Sequence, residues 1–180
     1  MDLRTRFLVF ADLHVDIMPD TVVRVQVMLE AAKHHKVDFL LNLGDIMYPD
    51  ADFLRANAPE SLALRKKHAW FVCDRDDEKK SILHMINDCG IPFYSVLGNH
   101  DMDSCSKKTA CMYFGMPSPH YYFDNGGIRF LALDTNFIKE DTDYINIDHN
   151  NGRYYASSQI TWLSDEQLAF IEKTVMESPY

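Results

Sequence analysis

The chain has 180 residues, 47% of them hydrophobic and 25% charged, with a formal net charge of −9. That length and balance suit one soluble domain large enough to bury a real core. The acidity argues against nucleic acid as a partner, because phosphate backbones are gripped by excess Lys and Arg, and an anionic substrate would need a local cation such as a metal ion.

No stretch approaches the run of about 18 apolar residues that a membrane span needs, and no membrane partner is expected. The N-terminal apolar stretch is too short for a signal sequence and is cut by Asp12. The four cysteines, Cys73, Cys89, Cys105 and Cys111, form no Cys-x-x-Cys pair or zinc-ribbon spacing. Idle thiols in a reducing, cytoplasmic compartment are the expectation.

Phe7 to Ala11 is a short apolar run that stops at Asp12 and reads as a buried strand. Asp20 to His35 is β-branched and partly alternating. It is read as a helix, because Asp20 suits an N-cap and Val22, Val25, Leu29 and Ala32 recur on one face. "VDFLLNLGD" is a second buried strand ending at Gly44-Asp45, so the two strands and their crossover form a parallel βαβ unit. Residues 50 to 89 read as a polar helical insertion, with helices in "LRKKHAWF" and in "DDEKKSILHMINDCG", the latter closing at Gly90.

"IPFYSVLG" is the third buried strand, and a short helix is expected near Lys107 to Phe114. "HYYFDNGGIRFLALDTN" reads as a hairpin around a glycine turn at Asp124 to Gly127. "SSQITWLSDEQLAFIEKTVME" opens with polar caps and becomes an amphipathic helix through Leu163, Leu168, Ile171 and Val175. There are no repeats or Pro/Gly linkers, so residues 1 to 180 are read as a single domain.

The strand ends carry the chemistry. They finish in Asp12-Leu13-His14, in Gly44-Asp45 and in Gly98-Asn99-His100-Asp101. Ligands of open α/β sheets bind outside the carboxyl ends of the strands, which would bring Asp12, His14, Asp45, Asn99 and His100 into one crevice. Mixed oxygen and imidazole donors suit Mn, Fe or Zn better than Ca. Each piece alone has a plainer account: Asp-x-His arises by chance, a strand-terminal Asp caps a helix, and Asn99 turns the chain. Their conjunction at three strand ends favours a metal site.

This ordered set of motifs resembles the calcineurin-like metallophosphoesterases, whose pattern runs Asp-x-His, Gly-Asp, Gly-Asn-His-Asp/Glu, a lone His and Gly-His-x-His. The "IRFLALDTN" segment and the "QITWL" helix opening are similar as well, and the resemblance runs from about Arg6 to Val175. It implies an α/β fold, a four-layer αββα sandwich, with two divalent or trivalent transition-metal ions (Mn, Fe or Zn) between its sheets. Carried over by position, Asp12 and His14 would bind the first ion, Asp45 would bridge both, and Asn99 would bind the second. His100, with Asp101 as its partner, would act on substrate. The implied activity is hydrolysis of a small phosphomonoester or phosphodiester, a nucleotide among the candidates, by attack of a metal-bridged hydroxide on phosphorus.

The lone His and the Gly-His-x-His motif do not occur before Tyr180. The expectation is that these residues are the front part of a longer chain that carries both motifs, together with the strands that would complete the sandwich. None of His34, His35, His68, His84, His120 or His149 stands where the missing ligands should. "GDIMY" also matches the Gly-Asp-x-x-Tyr of purple acid phosphatases, where the tyrosine binds iron. Those enzymes lack the first-motif histidine, so Tyr48 is read as a packing residue or a substrate-side hydroxyl. The alternative function is a non-catalytic protein-binding scaffold on the same fold. A repair-type nuclease would want a basic groove, for which Arg65-Lys66-Lys67 is the one local patch.

Overall fold

The computed structural model describes residues 4–67, 75–140, 143–146, 148 and 161–180. Strands β1 (Phe7–Phe10), β2 (Phe39–Asn42) and β3 (Phe93–Ser95) form a parallel sheet in the order β1-β2-β3. Phe7 pairs with Phe39, and Leu40 with Phe93. Helix α1 (Thr21–His34) crosses from β1 to β2, and α4 (Asp76–Asp88) crosses from β2 to β3. The two helices pack against each other, as consecutive right-handed crossovers on one face must. Val25, Leu29 and Ala32 are buried on α1 as the spacing predicts, with Thr21 beside them.

Because α4 is a crossover of the βαβ unit, the extra part of residues 50 to 89 is α2 (Ala51–Asn57) and α3 (Ser61–Lys67). Asp50 caps α2 by accepting the amides of Asp52 and Phe53 at 3.0 Å. Of the "LRKKHAWF" helix, the part up to Lys67 belongs to α3, which starts earlier, and the rest lies outside the described residues. Arg65 is buried and bound to Asp76, with one contact of 2.9 Å, so it is spent inside the fold rather than offered to a polyanion.

A hairpin, β4 (Tyr121–Asn125) and β5 (Ile128–Ala132), packs on the parallel sheet through aromatic rings. Phe39 stacks on Phe7 at 4.8 Å between ring centres and meets Phe123 and Phe130 edge-on at 5.3 and 5.1 Å. The turn is tighter than the sequence suggests: Asp124 pairs with Arg129 inside the ladder, leaving Gly126 and Gly127 at the tip with φ of +57° and +79°. Left-handed geometry at both central residues matches the twist of the strands and favours glycine. The Tyr121 hydroxyl donates to the carbonyl of Ser95 and accepts its amide, at 2.7 and 3.0 Å, tying the hairpin to the end of β3.

Three short strands, β6 (Phe137–Glu140), β7 (Asp143–Asn146) and β8 (Thr161–Trp162), add an antiparallel sheet ordered β7-β6-β8. The periodicity did not suggest this sheet. Helix α5 (Lys107–Tyr113) lies where expected. Helix α6 (Asp165–Met176) exists as predicted, but its inward face differs. Gln167 and Thr174 are buried, while Leu168 and Val175 are 47% and 57% exposed. The side chain of Gln167 makes two bonds of 2.8 Å with the backbone of Asp134, accepting its amide and donating to its carbonyl. Adjacent helix positions lie about 100° apart, so this amide pairing sets the rotation of α6 against its apolar count.

At Asp76, burial acts to raise the carboxyl pKa, but the bonds from Arg65 and from the Ala51 amide outweigh it and hold the group below the ordinary carboxylate value. A depressed folded-state pKa contributes stability that is present above the unfolded value and lost as pH falls through the folded one. Asp76→Asn is therefore expected to lower the urea midpoint at neutral pH. It should also flatten the loss of stability below about pH 4 in a pH series of urea melts.

Candidate metal centre

The three strand-end segments are knitted together before any ligand is considered. Past the end of β1, the amides of Asp12, His14 and Val15 donate to the carbonyls of Gly44, Asp45 and Ile46 at 2.9–3.0 Å. Just past the end of β3, the amide of Val96 donates to the carbonyl of Asn42, the last residue of β2, at 3.0 Å. Gly44 and Gly98 then touch backbone to backbone. A Cβ on Gly44 would lie 2.4 Å from the Gly98 nitrogen, and one on Gly98 would lie 2.1 Å from Asp45 Oδ1.

Asp101 fastens the same junction. Its fully buried carboxylate accepts the amides of Gly98 and Asp45 on Oδ2 and that of Ile46 on Oδ1, each at 2.9 Å. Burial pushes this carboxyl up to about 7, against the pull of its amide donors.

These constraints force unusual backbone. The non-glycine residues with positive φ among the described residues are Asp12 (54°), His14 (44°), Asp45 (57°) and Lys36. Lys36 follows α1, where a left-handed residue commonly ends a helix. The other three are candidate ligands. Left-handed conformations cost non-glycine residues of order 1–3 kcal/mol, and they persist where surrounding structure over-determines them.

Asp12, His14 and Asp45 each present a ligand atom, all within 4.8 Å of one another. His14 Nε2 lies 3.6 Å from Asp12 Oδ1 and 4.0 Å from Asp45 Oδ2. Asp45 divides its oxygens, because Oδ1 accepts the His100 amide at 2.9 Å while Oδ2 faces His14. Asp45 also lines two clefts. One, about 250 Å³, is bounded by Asp12, Gly98, Asn99, Asn136 and Thr161. The other, about 240 Å³, is bounded by His14, Asp16, Ile17, Met47, Tyr48 and His100. Two carboxylates, an imidazole and an amide oxygen fit a transition-metal centre by donor chemistry.

His100 and Asp101 open a 3₁₀ turn, His100–Met102. Side chains at i and i+3 eclipse in that geometry, so the carboxylate beside the His100 ring is Asp103, not Asp101. His100 Nδ1 lies 2.8 Å from Asp103 Oδ2, and the bond to Asp103 is the first cause of a raised His100 pKa, against partial burial. This corrects the expected His100–Asp101 pairing, since Asp101 is turned inward onto backbone amides. The signal for Asp103 was the "HDMD" spacing, unreadable without knowing that the turn is 3₁₀.

Tyr48 joins this group. Its hydroxyl donates to the same Asp103 oxygen at 2.9 Å, and its amide donates to Asp16 Oδ2 at 3.0 Å. Lys79 of α4, wholly buried, pairs with Asp16 Oδ1 at 2.5 Å and lies 5.6 Å from the centre of the Tyr48 ring. Across the first cleft, Asn136 donates to the Leu97 carbonyl at 3.0 Å, and Lys107 pairs with Asp134 at 2.5 Å behind it.

The remaining histidines lie elsewhere. His34 and His35 close α1, His84 pairs with Asp88 on the surface of α4, and His120 meets Phe170 edge-on at 5.0 Å. His68 and His149 lie outside the described residues. No helix among the described residues is long and apolar enough to cross a membrane.

A strained donor cluster just past the carboxyl ends of parallel strands lies where open α/β sheets place their ligands. The family model for calcineurin-like phosphoesterases matches residues 5–175, and the chain belongs to that family. Among solved structures it is similar to a dimetal phosphatase from Danio rerio, with a TM-score of 0.61 at 14% identity. That match covers 98% of this chain and 66% of the other, so this chain spans less than two thirds of its solved relative. At that identity the likeness is one of fold. No curated protein matches the chain. Family membership implies divalent metal ions.

Asp101→Asn would turn an amide NH₂ toward backbone donors that now share a carboxylate. A loss of about 1–3 kcal/mol in urea unfolding is expected, the cost of one unsatisfied buried donor. Unchanged stability would remove Asp101 as the fastening of the two loops.

Proposed function

We propose that the protein is a dinuclear metal-dependent phosphoesterase acting on small phosphomonoesters or phosphodiesters, with nucleotides among its candidate substrates. The observation that carries this reading is the convergence of Asp12, His14 and Asp45, each held at positive φ, with ligand atoms within 4.8 Å. Asp12 and His14 would hold one ion, Asp45 would be shared, and Asn99 would serve the other. When bound, the ions would neutralise the phosphoryl oxygens and activate a water for in-line attack.

The chain's own residues have distinct tasks. Asp45 is oriented by the His100 amide on Oδ1, which turns Oδ2 toward His14. His100 lines the second cleft, and its bond to Asp103 favours the protonated ring. From there it would give a proton to the leaving oxygen, a role worth about 10²–10⁴ in rate. Asp101 has a supporting task, fixing the loops rather than touching substrate. The free thiols Cys89, Cys105 and Cys111 are compatible with a reducing cytoplasm.

The test is hydrolysis of chromogenic mono- and diesters with and without Mn²⁺. Activity should require the ion, and Asp45→Asn or Asn99→Ala should each lower kcat/KM by at least about 100-fold. Unchanged turnover in both variants would sink the assignment. Calorimetric Mn²⁺ binding with no turnover of any ester would favour the protein-binding scaffold instead.

A further inference from the structure

We propose that the second cleft receives the leaving group of the ester, and that Ile17 at this cleft selects a compact apolar group the size of one aromatic ring. The inference deepens the phosphoesterase reading and rests on it for the identity of the bound molecule.

The two clefts that share Asp45 differ in chemistry. The first is lined by Asp12, Asn99, Asn136 and Thr161, side chains that suit a charged or hydroxylated group. The second takes His14, Asp45 and His100 from the centre, but Ile17, Met47 and Tyr48 bring apolar surface to it. Asp16 also lines it, with one oxygen 2.5 Å from Lys79 Nζ and the other accepting the Tyr48 amide at 3.0 Å. Its charge is thereby balanced inside the protein, and the lining away from the centre is dominated by carbon.

Ile17 is 52% exposed, and single exposed apolar side chains are ordinary on a protein surface. This one stands beside a reacting centre and is firmly held. The turn that carries it is closed on the His14 carbonyl, which accepts the amides of Ile17 at 2.9 Å and Met18 at 2.8 Å. The Met18 carbonyl in turn accepts from Thr21 Oγ1 and from Arg75, each at 2.9 Å. The backbone of a candidate metal ligand therefore sets where the apolar side chain stands. A β-branched side chain on a fixed backbone has few rotamers to lose, so covering it with a ligand costs little ordering entropy.

A cavity of about 150 Å³ lined by apolar side chains holds a benzene ring. At about 240 Å³ the second cleft has room for one ring beside the ester oxygen. A polyol seated there would set hydroxyls against Ile17 and Met47, which offer no side-chain partner for them, and that mismatch costs affinity. His100 lines the same cleft, so a leaving group held in it brings its ester oxygen to the side chain proposed to act on it.

The experiment uses the full chain loaded with Mn²⁺ and two inert probes, phenylphosphonate and methylphosphonate, which share a head group and differ in the ring. By calorimetry the wild type should bind the phenyl compound at least about tenfold more tightly, the order expected for burying one ring. Ile17→Ala should lower that ratio about fivefold, whereas Ile17→Leu, which conserves volume, should keep it. Val23→Ala, at a 60% exposed position of α1, should match the wild type. With Zn²⁺ in place of paramagnetic Mn²⁺, nuclear Overhauser effects should join the phenyl protons to the Ile17 methyls.

A wild-type ratio near one overturns the proposal, as does a ratio that Ile17→Ala leaves unchanged, or phenyl contacts that reach other methyls and not those of Ile17. Turnover of phenyl phosphate is scored separately. Turnover without a phenyl preference removes the apolar subsite and leaves the phosphoesterase reading standing. An Ile17-dependent phenyl preference with no turnover of any ester removes the phosphoesterase reading and keeps the apolar subsite.

Discussion

A single carboxylate, buried and surrounded by peptide N–H groups, holds the working end of this molecule together. Asp101 reaches back from the 3₁₀ turn to accept the amides of Gly98 on its own loop and of Asp45 and Ile46 on the neighbouring one. Net hydrogen-bond contributions of about 0.5–1.5 kcal/mol each, made three times over, are comparable to the cost of the left-handed conformations that these loops carry. With that junction made, Asp45 stands beside His14, and the His100 amide comes within reach of Asp45 Oδ1.

Around this fastening the candidate centre divides into two sides that meet at Asp45. One cleft gathers Asp12, Asn99 and Asn136, backed by the buried Lys107–Asp134 pair. The other gathers His14, Tyr48 and His100, backed by the buried Lys79–Asp16 pair. Each side thus rests on a lysine with almost no contact with solvent. Buried ion pairs are poor sources of net stability, because the cost of taking both charges out of water offsets their attraction.

Much of this was legible in the sequence because it is local. A run of apolar residues ending in Asp-x-His, Gly-Asp or Gly-Asn-His-Asp announces a strand and the candidate ligands at its end, although β1 is not buried as its sequence suggests, with Phe7 and Val9 39% and 45% exposed. What was not legible depends on tertiary partners. Whether residue i+1 or i+3 meets His100 depends on the type of turn, and nothing in "NHDMD" distinguishes them. The rotation of α6 follows from Gln167 finding the backbone of Asp134, a pairing that apolar periodicity cannot register. The strands β6 to β8 hold at most two apolar residues each, side by side, too few to show a period of two, and they draw their order from one another. His120, just before β4 of the hairpin, meets Phe170 of α6 edge-on, a contact that no local pattern signals.

The meeting of Gly44 with Gly98 has a consequence for how such a centre endures change. Where side chains separate two segments, every replacement in the core alters the gap by some fraction of an ångström, because interiors are close-packed. At the Gly44–Gly98 contact, beside the Asp101 bridge, no side chain intervenes, so the gap there is set by the thickness of the polypeptide itself, which bond lengths and planar peptides fix. The distance between the two loops is therefore insulated from drift elsewhere in the domain. A chain can replace most of its interior and keep the same ruler at the one place where tenths of an ångström decide what binds.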